Sequence, residues 1–194
     1  MKKVLLFWAV AAMMVIVGCQ PQKSTGSCHV TGMITDSVAE GLRIVIEPLN
    51  QSETTVQADT LEVKDGKFET TLDSVLIYKV MPADDKLYMA LQPLLIVGEP
   101  GYVWVRLGIS SHAGGTAQND TLEHWKTLTE AHSRVYNRLR SMASKKVTEG
   151  DTIQAGILQK EADSLHIVYS ATTRRMADGV GKGPLYDFLS RFFR

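Results

Sequence analysis

Between Cys28 and Leu107 apolar and polar residues alternate in short runs, the period of a half-buried strand. Leu42 to Leu49 is rich in β-branched residues and ends beside a proline. Thr60 to Val63 alternates, Lys64-Asp-Gly-Lys67 supplies an Asp-Gly turn, and Phe68 to Leu72 continues beyond it. That combination is the strongest hairpin signal in the chain. Ile77–Met81, Leu87–Leu91 and Leu94–Val97 follow as further strands. Glu99-Pro-Gly101 makes a turn, with proline fixing one φ and glycine taking a positive one, and Tyr102–Leu107 closes the series. Short strands at this spacing predict an antiparallel sandwich or barrel.

The period changes after Gly114-Gly-Thr-Ala-Gln-Asn-Asp120. Leu122, Trp125, Leu128, Val135, Leu139 and Met142 recur at helical spacings, and Asn119 or Asp120 suits the N-cap. Lys145 and Lys146 fall in the last turn, where cations complement the helix dipole. Thr148-Glu-Gly-Asp151 breaks the pattern. Ile153, Ile157, Leu165 and Val168 then carry a second helix, capped by Asp151 or Thr152. Neither apolar stripe is stable in water, so the two helices are expected to pair antiparallel and lean on the sheet. Gly179 to Pro184 reads as a loop, and Leu185, Phe188, Leu189 and Phe192 as a short final helix. The fold class predicted is α+β. Residues 28–118 form an N-terminal antiparallel β-sandwich or barrel-like domain. Residues 119–194 form a C-terminal α-helical hairpin and short final helix packed on or beside it.

The first nineteen residues follow neither period. Lys2 and Lys3 precede an uncharged stretch, Val4 to Gly18, which is shorter than the roughly 20 residues a membrane-spanning helix needs. It reads as a secretory signal. Ile16-Val17-Gly18-Cys19 has the form of a lipobox, with small Gly18 at the cleavage point. Residues 1–18 are then a lipoprotein signal peptide, Cys19 is the lipidation site, and 19–27 is a flexible tether. Acyl chains on Cys19 would anchor the protein to a membrane without spanning it. Gln20 rather than aspartate after the cysteine resembles lipoproteins sorted to the outer membrane. The tether lacks the acidic cluster of surface export, which favours the periplasmic face.

Composition narrows the classes further. The chain has 194 residues, enough for one domain with a real core or two small ones. Basic and acidic residues balance at 21 each, and Lys2 and Lys3 leave with the signal, so the remainder is slightly acidic. No basic stripe serves nucleic acid. With Cys19 lipidated, Cys28 is alone and no intramolecular disulfide can form. Its strand position predicts a buried small hydrophobe, with a reactive thiol or intermolecular bridge as the alternative.

Candidate chemistry is sparse. Among the five histidines, His124 and His132 stand two helical turns apart, too far to share one metal ion, and the expectation is solvated or capping roles. No serine occupies a Gly-x-Ser-x-Gly elbow. Gly179-Val-Gly-Lys-Gly183 lacks a preceding buried strand and has Pro184 where a phosphate loop needs Ser or Thr. No catalytic residue, metal ligand or cofactor is therefore assigned. Tyr102 and Trp104 alternate with Val103 and Val105 across two faces, one of which must cover an apolar layer. Core packing is expected of the two aromatics, and a ligand-facing platform, as in a carbohydrate-binding sandwich, is the alternative. Asp followed by Ser or Thr and an aliphatic residue recurs at Ser37, Thr60, Ser74, Thr121, Thr152 and Ser164. The pattern resembles the acceptor sequence of an O-glycosylation system acting on envelope proteins. Turn and cap chemistry produces the same pattern.

An ordered set of motifs resembles one family. Cys28-His-Val-Thr-Gly32, the Lys64 to Phe68 turn, Glu99-Pro-Gly101 and the Gly115-Thr-x-x-Asn119 junction resemble a β-rich domain of unknown function. That domain precedes thioredoxin-like domains in Bacteroidota-type lipoproteins. The resemblance spans roughly residues 28–145. It implies a lipid-anchored envelope protein, and it carries no catalytic residues. This chain has no Cys-x-x-Cys pair, so the redox chemistry of longer relatives does not transfer. The function expected is a lipid-anchored, non-enzymatic binding or interaction module of the bacterial cell envelope. The alternative is an accessory to a thiol-disulfide or nutrient-uptake system, working through a thioredoxin-like or other envelope partner.

Overall fold

Strand alternation builds two sheets that share one core. The computed structural model describes residues 26–35 and 41–193. The expected signal peptide 1–18, the expected lipidation site Cys19, the expected tether as far as residue 25, and Ser37 lie outside the described residues. The strands are β1 (Cys28–Ile34), β2 (Arg43–Pro48), β3 (Asp59–Glu62), β4 (Lys67–Leu72), β5 (Ile77–Pro82), β6 (Leu94–Val97), β7 (Gly101–Leu107) and β8 (His112–Gly114). The helices are α1 (Ala117–Thr148), α2 (Thr152–Val180) and α3 (Pro184–Ser190). Sheet A has the order β4-β1-β7-β8 and sheet B the order β3-β2-β5-β6. The fold is α+β with a helical C-terminal part, as the sequence periods predict.

Sheet A sends Cys28, Val30, Phe68, Val103, Val105 and Leu107 inward to meet Ile44, Ile46, Val80 and Ile96 of sheet B. Gly32 faces Phe68 across the strands, and a Cβ built there would lie 1.9 Å from the Phe68 ring. The missing side chain is what lets that ring fold over β1.

Three strand expectations are corrected. Sheet A is not wholly antiparallel, because β1 and β7 pair in parallel at its centre. A parallel pair needs a long connection, and here the chain builds sheet B between them. The Asp65-Gly66 turn does form, with both φ angles positive (50° and 71°) and Lys64 and Lys67 bonded through their backbones at 2.9 Å. That is a type I′ geometry. Its arms nonetheless diverge, β3 pairing with β2 and β4 with β1, so the turn is a corner closing one side of the sandwich. Leu87–Leu91 is not a strand: Asp84 accepts the Lys86 N–H and the Leu91 N–H returns to Leu87. The backbone is consumed locally, leaving Met89 88% exposed and Leu91 buried. The three-residue strand β8 was not expected.

One buried side chain anchors the helical junction to sheet B. Asn119 is not an N-cap; Thr116 takes that position, and Asn119 is buried within α1. Its Oδ1 accepts from the Val97 N–H and its Nδ2 donates to the Val97 carbonyl, both at 2.8 Å. It completes the open edge of β6 as a neighbouring strand would. Asp120 accepts from the Gly115 N–H instead of capping. Asp151 caps α2 as expected, accepting from the Gln154 N–H.

The two long helices pair antiparallel; the first turns of α1 reach the sheets at β6 and β8, and the end of α2 joins Val97 of β6 in a second core. With 32 residues, α1 is about 48 Å long, so most of the hairpin stands clear of the sandwich. Its seam differs from the expected stripes. On α1, Leu122, Trp125, Leu139 and Ala143 are buried, whereas Val135 and Met142 are exposed. On α2, Ala155, Ala162, Tyr169, Thr173 and Ala177 are buried, whereas Ile153, Ile157 and Val168 face solvent. Small residues at the seam let the backbones approach closely, and the larger aliphatics are left outside. His132 also departs from expectation: it stacks on Tyr169 at 4.2 Å and adjoins Tyr136 and His166. Burial, with the neighbouring His166, holds it below the ordinary histidine range. A second core of Leu122, Trp125, Ala177, Leu185 and Leu189 forms where α3 tucks under the hairpin.

Replacing Asn119 by Ala strands the buried N–H and carbonyl of Val97. The expected loss is about 2–3 kcal/mol in urea-monitored unfolding.

Candidate functional site

Cross-strand register arranges the outward side chains of sheet A in rows. One row is Thr71, His29 and Tyr102; the next is Glu69, Thr31, Trp104 and Gly114; the third is Lys67, Met33, Arg106 and His112. Neighbours within a row are one strand spacing apart, about 4.8 Å. Tyr102 is 60% exposed and Trp104 49% exposed, which overturns the core-packing expectation for both. Val103 and Val105 fill the core in their place. The physical reason is register: β1 puts Cys28 and Val30 inward, and its parallel partner must turn Val103 and Val105 to the same side.

Each aromatic is held by a specific neighbour. His29 and Tyr102 stack at 5.3 Å, and His29 Nδ1 lies 3.2 Å from Thr71 Oγ1. The Trp104 indole rests on bare backbone: a Cβ on Gly114 would lie 2.8 Å from it, and one on Gly115 3.1 Å. One face of the indole is therefore bedded on glycine, and the ring keeps about half its surface in water. Beside it lies an open concavity of about 540 Å³, bordered by Thr31, Met33, Lys67, Glu69, Trp104 and Arg106. An aromatic plane, an apolar floor and flanking charged and hydroxyl groups suit a ligand with a flat apolar face and a polar edge.

The edge of the sheet carries a second polar group. Ser110 Oγ lies 3.1 Å from His112 Nε2, and His112 Nδ1 lies 2.6 Å from Glu123 Oε1. This is the order of a nucleophile, base and orienting acid. Glu123, however, also accepts from the Ala113 N–H and pairs with Lys126, which in turn donates to the Ser111 carbonyl. These bonds tie α1 to β8, and Ser110 stands exposed on the adjoining turn. The group acts as a clamp, keeping β8 and its Gly114-Gly115 bed under Trp104.

The sequence-derived residues fall apart in space. Thr60 is exposed on β3 and Ser74 half-buried in a turn. Thr121 and Ser164 donate to carbonyls of their own helices, and Thr152 is exposed at the start of α2. Asp120 and Asp151 serve turn and cap bonds. Only Tyr102 and Trp104 come together. His29, Met33, Lys67, Glu69 and Arg106 were missed, although alternation along β1, β4 and β7 places them on the same face. Among the described residues, no helix is long and apolar enough to cross a membrane, and no three metal-capable side chains gather.

Cys28 is fully buried, and burial, aided by the negative charge of Glu99, pushes its thiol up to about 11. It is a core residue and not a thiol placed for exchange. No protein-family model, curated protein or solved structure matches the chain.

The Cys28 shift has a defined sign. The unfolded thiol ionises at pH ~8.5, and the folded thiol only at about 11. Stability contributed by the protonated thiol is complete at neutral pH and declines as pH rises between those values. A disulfide-exchange reagent at pH 8 is expected to leave Cys28 unlabelled in the folded chain and to label it in urea. Rapid labelling of folded protein would contradict its burial.

Proposed function

We propose that this chain is a lipid-anchored, non-enzymatic binding module of the bacterial cell envelope. It is held at Cys19, facing the periplasm from the outer membrane, and takes a saccharide on the outer face of sheet A. The observation that supports this reading best is Trp104, a half-exposed indole laid flat on Gly114 and Gly115 beside an open concavity. An unliganded surface gains nothing from an exposed Tyr–Trp pair, since both rings keep apolar area in water. A sugar ring offers the complement: an axial C–H face to stack on the indole, and hydroxyls to reach Thr31, Glu69, Lys67 and Arg106.

The anchor and the platform fit one arrangement. β1 begins at Cys28, nine residues after Cys19. A chain of that length reaches at most about 30 Å. The sandwich would thus be displayed close to the membrane that holds it. Thiol chemistry, the alternative association, would fall entirely to a partner because Cys28 is enclosed.

Two expectations test this reading. Titration of the purified protein with a panel of neutral and uronic-acid oligosaccharides, followed by tryptophan fluorescence and calorimetry, should find a bound member. Trp104→Ala should weaken that binding at least about tenfold, with Trp104→Phe retaining part of it. Binding unaffected by Trp104→Ala, or no bound saccharide, would remove the platform reading. Separately, Cys19→Ala should move the protein out of the membrane fraction and abolish incorporation of an alkynyl fatty acid; unchanged fractionation would remove the anchor.

A further inference from the structure

The helical hairpin has two unlike sides. Arg140 and Gln159, each following a buried or half-buried leucine of the seam (Leu139 and Leu158), meet by a hydrogen bond. Residues that follow seam positions therefore share one side of the hairpin, and residues that precede them share the other. The following side is mostly polar: Ser133, Asn137, Arg140 and Ser144 on α1, Gln159, Asp163 and His166 on α2, with Val147 (60% exposed) as its apolar member near the far end. The preceding side carries Val135 (48% exposed), Met142 (44%), Ile157 (52%) and Val168 (63%), with Ala131 and Ser164 among them. It carries two central charges, Arg138 and Glu161, both exposed. Such a face on a helix pair standing clear of the sheets is half of a four-helix bundle.

The geometry points to a second copy of this chain as the occupant, with the two hairpins packed through this side into a four-helix bundle. Cross-helix contacts give the levels. Arg140 meets Gln159, and Thr129 and His132 meet Tyr169. Met142 accordingly stands level with Ile157, Arg138 with Glu161, Val135 with Ser164, and Ala131 with Val168. A two-fold axis parallel to the hairpin lays α1 of one copy over α2 of its partner at unchanged height. Met142 then meets Ile157, Arg138 meets Glu161 of opposite charge, and Ala131 meets Val168. Each copy supplies both members of every layer, so the interface is isologous and closes at two. Laying α1 over α1 instead needs a two-fold axis across the helices; placed at the centre of the face, near Arg138, it would set that residue against its own copy and put the sandwiches at opposite ends.

Size is consistent with a reversible dimer. From Ala131 to Lys145 the face is about 20 Å long and two helices, about 20 Å, wide. Two copies would bury on the order of 1,000 Å², near the lower bound of specific interfaces. The axis along the hairpin also leaves both sandwiches at the same end. Two chains anchored in one membrane, on the reading of Cys19 given above, could pair without inverting either.

The test uses complementary charge reversal in the full-length protein, purified in detergent and followed by sedimentation. The unaltered chain should dimerise. Arg138→Glu and Glu161→Arg should each weaken self-association roughly tenfold or more, with helix content by circular dichroism retained. Mixing the two variants should restore dimers as the heterodimer, because both charge layers then again join an acidic to a basic side chain. Met142→Cys on one tagged chain and Ile157→Cys on another should cross-link in intact envelopes, and Asn137→Cys with Asp163→Cys should not. A monomeric unaltered chain, mixed variants that stay apart, or cross-linking through the Asn137 side would overturn the assignment.

Discussion

The parallel pairing of β1 with β7 is the constraint on which the rest depends. Its register sets Val30 beside Val103 and Gly32 beside Val105 on the inner side. The same register sets His29 beside Tyr102 and Thr31 beside Trp104 on the outer. Strand side chains alternate with a period of two, so a slip of one residue would exchange the two sets, burying Arg106 and expelling Val105. Burial of several aliphatic side chains, each contributing about 1.5–3 kcal/mol, makes that slip prohibitive. The platform is thus a consequence of the core: once the valines are inside, the aromatics have nowhere else to point.

Two smaller devices extend this arrangement. Glycines at 114 and 115 give the Trp104 ring a flat seat, and the Glu123 clamp holds that segment against α1. Asn119 then fixes α1 to the free edge of β6 by imitating a strand. Through these contacts the hairpin is directed away from the sandwich, so the proposed ligand face and the proposed pairing face lie on different elements and need not compete.

Much of this was legible in the sequence, for definite reasons. The two periods separate strands from helices because they follow from backbone geometry alone. The Asp65-Gly66 turn was legible because only residues tolerant of positive φ close it. Which sheet each arm joins was not, since a turn specifies reversal and says nothing of the next partner. The α2 stripe misled for a related reason, whereas Leu122, Trp125 and Leu139 of the α1 stripe are buried as expected. Counting large aliphatics assumes that they lie inside, whereas Ala155, Ala162 and Ala177 form the seam and Ile153 and Ile157 remain out. Asn119 read as a cap because its usual chemistry at a helix start is capping; its bonds to Val97 come from packing that no local pattern encodes.

Whether the outer rows of sheet A are the binding face is tested most directly by amide chemical-shift mapping with the oligosaccharide that binds most tightly. Shifts are expected at Thr31, Met33 and along Tyr102 to Arg106, following the rows across β1 and β7, with sheet B and the hairpin unmoved. Shifts gathered around α3 or the helices, with those strands silent, would contradict the assignment of that face.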